Sequence, residues 1–226
     1  MTARGAVALL SCAALAWPSG GRADLPAIAE LVNARVDTVT YRGVRALHLV
    51  PAPETAGKDE DMLALLGGPA FSDGTIEVDV AGAPRPDASP DSRGFIGISF
   101  RTGEHGAWTE VFYLRPTNGR SDDQLRRNHA AQYAADPEYP WHRLRSESPG
   151  RYESYVDLEP GVWTPLRIEV AGTTARLYVH GASQPTLIVN DLKHGTRPGR
   201  IALWAHVETQ AYFGPVRVTR SGAAGQ

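Results

Sequence analysis

The chain is almost without sulfur chemistry. It has one cysteine, Cys12, and two methionines in 226 residues. Cys12 lies in an N-terminal leader, so the mature chain has no disulfide, no thiolate nucleophile and no cysteine-based zinc site. A chain of this length buries enough apolar surface to fold without a disulfide. Charge of one sign is also missing. With 23 basic and 25 acidic residues the formal net charge is −2. The leader holds Arg4 and Arg22 and no acid, so the mature chain is more acidic still, which argues against nucleic acid as a partner. No apolar run reaches the length a membrane span needs. There is no Gly-rich phosphate loop and no Gly-x-Ser-x-Gly nucleophile elbow. The seven histidines have no spacing that recurs as a metal triad.

The leader has the layout of a secretory signal. Arg4 precedes an apolar run over residues 5–17, and Pro18-Ser19-Gly20-Gly21-Arg22-Ala23 makes a small-residue exit, placing cleavage after Ala23. Leu9-Leu10-Ser11-Cys12 loosely resembles a lipoprotein cleavage box, but the apolar run continues beyond it. The expectation is an exported protein, periplasmic or extracellular, with a signal over 1–23, one domain over 24–220 and a frayed tail over 221–226.

Past the leader the apolar residues alternate with period two, as half-buried strands require. Ile76, Val78 and Val80 alternate with Glu77 and Asp79. Ile96, Ile98 and Phe100 form a second set. Leu166 and Ile168, Leu177 and Val179, and Ile201 and Leu203 supply three more. Turn residues separate these runs, among them Asp73-Gly74, Gly172-Thr173 and Pro198-Gly199, and Arg42-Gly43 marks an early hairpin. Short helices are expected only over residues 25–33 and near 60–66. Many short strands without βαβ alternation predict an all-β, antiparallel two-sheet sandwich or jelly roll. The inward members of each run, Ile168 and Leu177 among them, should form its core.

The densest polar stretch is residues 115–155, rich in Arg, Asn, Asp, His, Gln, Tyr and Trp. Ordered connections this long inside a compact domain are usually functional. Planar amide and guanidinium donors suit paired hydroxyls, and aromatic faces suit sugar C–H surfaces. The candidate ligand-binding residues are Arg115, Asn118, Arg127, Asn128, Gln132, Tyr133 and Trp141. If residues 128–133 are extended, Asn128 and Gln132 share one face and His129 and Tyr133 the other. The candidate acid–base groups are Glu110, His129 and Glu153. Glu110 falls on the apolar face of its strand, where burial would perturb its pKa; pairing with Arg101 is the simpler expectation. A loop pinned by its own hydrogen bonds is the alternative for the whole stretch. Trp163 and Trp204, in strand contexts, are expected in the core. Loop oxygens near Asp122-Asp123 leave calcium open, although the Asp-x-Asp spacing of an EF-hand is absent.

Phe71-Ser72-Asp73-Gly74-Thr75-Ile76-Glu77-Val78-Asp79-Val80, followed by Gly94-Phe95-Ile96-Gly97-Ile98-Ser99-Phe100-Arg101, resembles the concanavalin A-like lectin/glucanase superfamily. Tyr152-Glu153-Ser154-Tyr155, Gly161-Val162-Trp163-Thr164 and Gly199-Arg200-Ile201-Ala202-Leu203-Trp204 add to the likeness. The chain is similar to laminin G-like domains and more closely to the 3-keto-disaccharide hydrolase branch (domain of unknown function 1080). The resemblance implies a concanavalin A-like sandwich with a carbohydrate ligand. It departs from the jelly-roll glucanases at one point. Glu77-Val78-Asp79-Val80 runs into Ala81-Gly82, so the second glutamate of their catalytic strand is missing. Three functions stay open: a glycan-binding module, a hydrolase of the 3-keto-disaccharide type, and a structural envelope module that binds protein. Oligomeric state is not legible.

Overall fold

The computed structural model describes residues 24–55 and 58–221. Fifteen strands and two short helices follow in chain order. The first strands are β1 (Ile28–Val32), β2 (Ala34–Tyr41), β3 (Val44–Pro51), β4 (Asp61–Leu66), β5 (Gly74–Pro84) and β6 (Ile96–Thr102). Then come β7 (Thr109–Leu114), α1 (Gln124–Asn128), β8 (Ala131–Asp136), α2 (Trp141–Glu147) and β9 (Glu153–Ser154). The chain closes with β10 (Thr164–Ala171), β11 (Thr174–Val179), β12 (Leu187–Val189), β13 (Arg200–His206), β14 (Thr209–Phe213) and β15 (Arg217–Arg220).

They form two antiparallel sheets. One has the order β1-β4-β13-β6-β7-β8-β9; the other has β12-β11-β10-β5-β14-β3-β2, with β15 also on β5. The expected sandwich is what the chain builds. Ile76, Ile168 and Leu177 lie side by side across β5, β10 and β11, all fully buried. Ile96, Ile98, Phe100, Leu166, Val179, Ile201 and Leu203 join them between the sheets. The Arg42-Gly43 hairpin is present. Tyr41 pairs with Val44, and both turn residues have positive φ, 45° and 79°, the conformation a two-residue hairpin favours.

Both short helices expected near the start are strands. Residues 28–32 form edge strand β1 on β4, and β4 is flanked by β1 and β13. The Asp-Met-Leu-Ala-Leu-Leu run of β4 is buried on both faces beyond Asp61. A short two-sided apolar run fits a buried strand as well as a helix, and cross-strand pairing decides it.

Arg101 does not pair with Glu110. At positive φ (50°), beside an irregularity in the β6–β13 register, it turns inward. Its guanidinium donates to the backbone oxygens of Ser72 at 2.9 Å, Gly172 at 2.8 Å and Gly195, and to Asp73 Oδ1 at 2.8 Å. One buried cation thereby ties three loops at one end of the sandwich.

Candidate functional site

The outer face of an antiparallel sheet is usually polar. Here the outer face of the seven-stranded sheet is apolar. Strand register sets Leu63, Trp204, Gly97, Tyr113, Gln132 and Glu153 in one row across β4, β13, β6, β7, β8 and β9. Leu63, Leu65, Val111, Tyr113, Ala134, Ala202 and Trp204 form a second apolar cluster, with Val32 and Phe95 packed on it. Gly97 lets the two large rings meet across it. Tyr113 and Trp204 have centroids 4.7 Å apart, while a Cβ at Gly97 would sit 2.0 Å from the Phe112 carbonyl oxygen. Phe95 sets its edge against Tyr113 at 6.1 Å and against His206 at 5.7 Å.

A groove of about 1650 Å³ lies over this floor, lined by Leu63, Phe95, Tyr113 and Trp204 together with Trp141 and His142. The β6–β7 loop closes one side. Gly106 approaches Leu63 so closely that a Cβ there would lie 2.6 Å from Leu63 Cδ1. Asp61 and Asp136 add carboxyls to the lining. Burial, and then the charge of Asp136, push the Asp61 carboxyl up to about 7; the Trp204 indole and His206 pull against this. Asp136 is also raised, chiefly by burial, with His194 and His142 opposing.

The 115–155 stretch is not one loop. Within it α1 starts at Asp123, whose Oδ1 accepts from the Leu125 and Arg126 amides at 2.9 and 3.3 Å. The strand β8 then enters the sheet, and α2 follows. Residues 128–133 are therefore not extended throughout: Asn128 ends a helix and strand pairing begins at Ala131. The alanines on both sides of β8 hide its alternation, so only the structure reveals it as a sheet strand.

The expected site residues divide into three groups. Arg115, Gln132, Trp141 and Glu153 converge at one end of the aromatic row. Arg115 donates to Tyr113 Oη at 2.9 Å, to Gln132 Oε1 at 3.1 Å and to the His129 backbone oxygen at 3.0 Å. Its guanidinium carbon lies 5.6 Å from the Trp141 ring centre and 5.1 Å from that of Tyr113. Trp141 is 43 % exposed.

A second group lies beside a smaller cleft of about 480 Å³, lined by Asn128, His129, Arg145, Glu153 and Tyr155. Glu153 is buried there and held by Arg145 Nε at 3.0 and 3.1 Å. His129 Nε2 lies 3.4 Å from Glu153 Oε2. Burial keeps the His129 imidazole below its ordinary pKa, with Glu153 opposing. Arg127 turns to Tyr155, donating to its hydroxyl at 2.9 Å.

The third group is internal. Glu110 and Tyr133 lie between the sheets. The Tyr133 hydroxyl donates to Glu110 and accepts from the Lys193 amide at 2.9 Å, and Glu110 Oε1 accepts from the His194 amide at 2.7 Å. Burial raises the Glu110 carboxyl, against those two hydrogen bonds. Asn118 is buried, donating to the His129 carbonyl at 3.2 Å and accepting from Arg126 at 2.9 Å.

Trp204 is buried, as a core residue would be, but on the outer face. The signal was its parity: it alternates with the inward Leu203. Leu63, Tyr113, Asp61 and Asp136 carry no sequence motif. Only the register and the curl of the loops bring them together. Trp163 is half-buried, donating its indole N–H to the Tyr41 carbonyl at 3.3 Å. Among the described residues no group of three or more His, Cys, Asp or Glu is placed to hold a metal. No helix there is long and apolar enough to cross a membrane.

No family model and no curated protein matches the chain. Solved structures do. A carbohydrate-binding module, CBM66, from Bacillus subtilis superposes with a TM-score of 0.52 at 13 % identity, over 84 % of this chain and 98 % of that one. A Bacillus subtilis protein of unknown function with a galectin-like fold gives 0.51 at 12 %, over 85 % and 90 %. Likeness at this identity establishes architecture: the chain is similar to galectin-like and carbohydrate-binding-module sandwiches in fold.

Proposed function

We propose that the protein is exported and binds carbohydrate in the groove on the outer face of its seven-stranded sheet. The observation that carries the reading is the row Leu63–Trp204–Gly97–Tyr113–Gln132–Glu153. It gives a sheet face that would ordinarily be polar an aromatic floor ending in polar side chains. Aromatic rings offer flat apolar area for sugar C–H faces, and a few placed polar groups orient the hydroxyls. Among the solved structures that share the fold is a carbohydrate-binding module, which supports the same reading. Trp141 forms an exposed wall. Arg115 and Gln132 hold the floor in place through Tyr113.

A glycan array with the purified protein tests binding. Trp141→Ala should then weaken the best glycan about tenfold, the loss of one stacking contact worth ~1.4 kcal/mol. The melting temperature should stay within a few degrees, because the ring lies at the surface and outside both apolar clusters. Affinity unchanged by the substitution would remove Trp141 from the site.

A second reading rests on the smaller cleft, where a low-pKa imidazole, His129, faces the buried carboxylate Glu153. That pair is suited to general-base chemistry on an oxidised sugar of the 3-keto-disaccharide type. Incubation with such disaccharides and product analysis tests it, and turnover that survives His129→Ala would reject it.

A further inference from the structure

The charge of the groove narrows the class of glycan. Its lining has eight carboxylate side chains against three from lysine and arginine. Several acids are already engaged. Asp59 lies 2.7 Å from His206 Nε2, Asp87 takes Arg85 at 3.1 Å, and Glu208 accepts from Ser89 at 2.8 Å. Asp61 and Asp136 differ. Neither carboxyl makes an ion pair among the described residues, although both residues are half-buried in the groove wall. The groups that act on Asp61 are Asp136, Asp59, His206 and the Trp204 indole; those that act on Asp136 are His194, His142 and Glu138.

A half-buried carboxylate without a counter-charge is unfavourable, and an arriving cation relieves that cost. A uronate or sulfate would bring more charge of the same sign into a field already negative. The floor favours the same choice, because aromatic faces attract cations. We infer that the groove selects glycans with free amino groups, Asp61 and Asp136 serving as counter-charges for the sugar ammonium. This rests on the reading of the groove as the glycan site and makes it more specific.

The test is isothermal titration at neutral pH with glucosamine, N-acetylglucosamine, glucose and galacturonate oligomers of one linkage and length, and with oligolysine. The wild-type protein should bind the glucosamine oligomer about tenfold more tightly than its acetylated and neutral counterparts. The galacturonate oligomer should bind least. Asp61→Asn and Asp136→Asn should each reduce the preference while keeping affinity for the neutral oligomer, with melting curves showing that both variants fold. Equal affinity for amino and acetylated sugars, or a preference that survives both substitutions, overturns the inference and leaves the groove as a site for neutral glycans. Oligolysine bound as tightly as the amino sugar overturns it in favour of a general cation surface. If no glycan binds, the groove reading falls and this inference with it.

Discussion

Asp61 ties the chemistry of single residues to the behaviour of the whole chain. Burial pushes its carboxyl up to about 7 in the folded protein, against ~3.9 when unfolded. Between those values the folded state holds the extra proton. Stability is therefore greatest below about pH 4 for this group, and falls as pH rises through the folded value. Asp61→Asn should remove that slope. In thermal melts the variant should match wild type below about pH 4 and exceed it above about pH 7, by about 2–4 °C for each kcal/mol relieved. A variant that melts below wild type at alkaline pH would show that the ionised carboxylate is stabilising. Residue identity made Trp141 legible as an exposed ring in a polar stretch. It did not make Asp61 legible, because a raised pKa comes from what surrounds a carboxyl, and Trp204 and Asp136 are far from it in sequence. Glu110 shows the converse. Its place on an apolar face was visible from parity, but its partners, the Tyr133 hydroxyl and the His194 amide, lie in segments that nothing local connects to it.

At the scale of elements, period-two alternation was a sound guide wherever one face is polar. The β5, β10 and β11 strands put Ile76, Ile168 and Leu177 between the sheets as their pattern requires. Ile168→Ala should cost about 2–5 kcal/mol in denaturant melts, because the site is sealed on both sides and cannot collapse. A loss below roughly 0.5 kcal/mol, the surface norm, would mean the residue faces outward. The pattern was hidden in β4 and β8 for different reasons. In β4 the outward Leu63 and Leu65 are as apolar as their inward neighbours, whereas in β8 the outward Gln132 and Asp136 are polar but alanines on both faces blur the contrast. Leucines fill β4 and alanines fill β8. The strands hardest to see from sequence are therefore the ones that build the groove.

For the molecule as a whole, the fold was legible because it depends on many alternating strands and ordinary turns, each weakly informative and all in agreement. The site was legible only in part. Sequence pointed to residues 115–155, and the structure places a share of them at one end of the groove and the rest in the core or beside a second cleft. The missing share comes from the curl of the β6–β7 loop and the register of six strands. The proposed export concerns the whole chain. N-terminal sequencing of secreted material should begin at Asp24, and a start at a lipidated Cys12 would instead place the protein on a membrane. The central claim, a glycan seated on the aromatic row, is tested most directly by titrating isotope-labelled protein with the best array glycan and following backbone amide shifts. The account predicts the largest shifts at Leu63, Gly97, Tyr113, Gln132 and Trp204. Shifts confined to the opposite sheet, at His48 and Tyr212, or to the α1 cleft at Asn128 and His129, would contradict it.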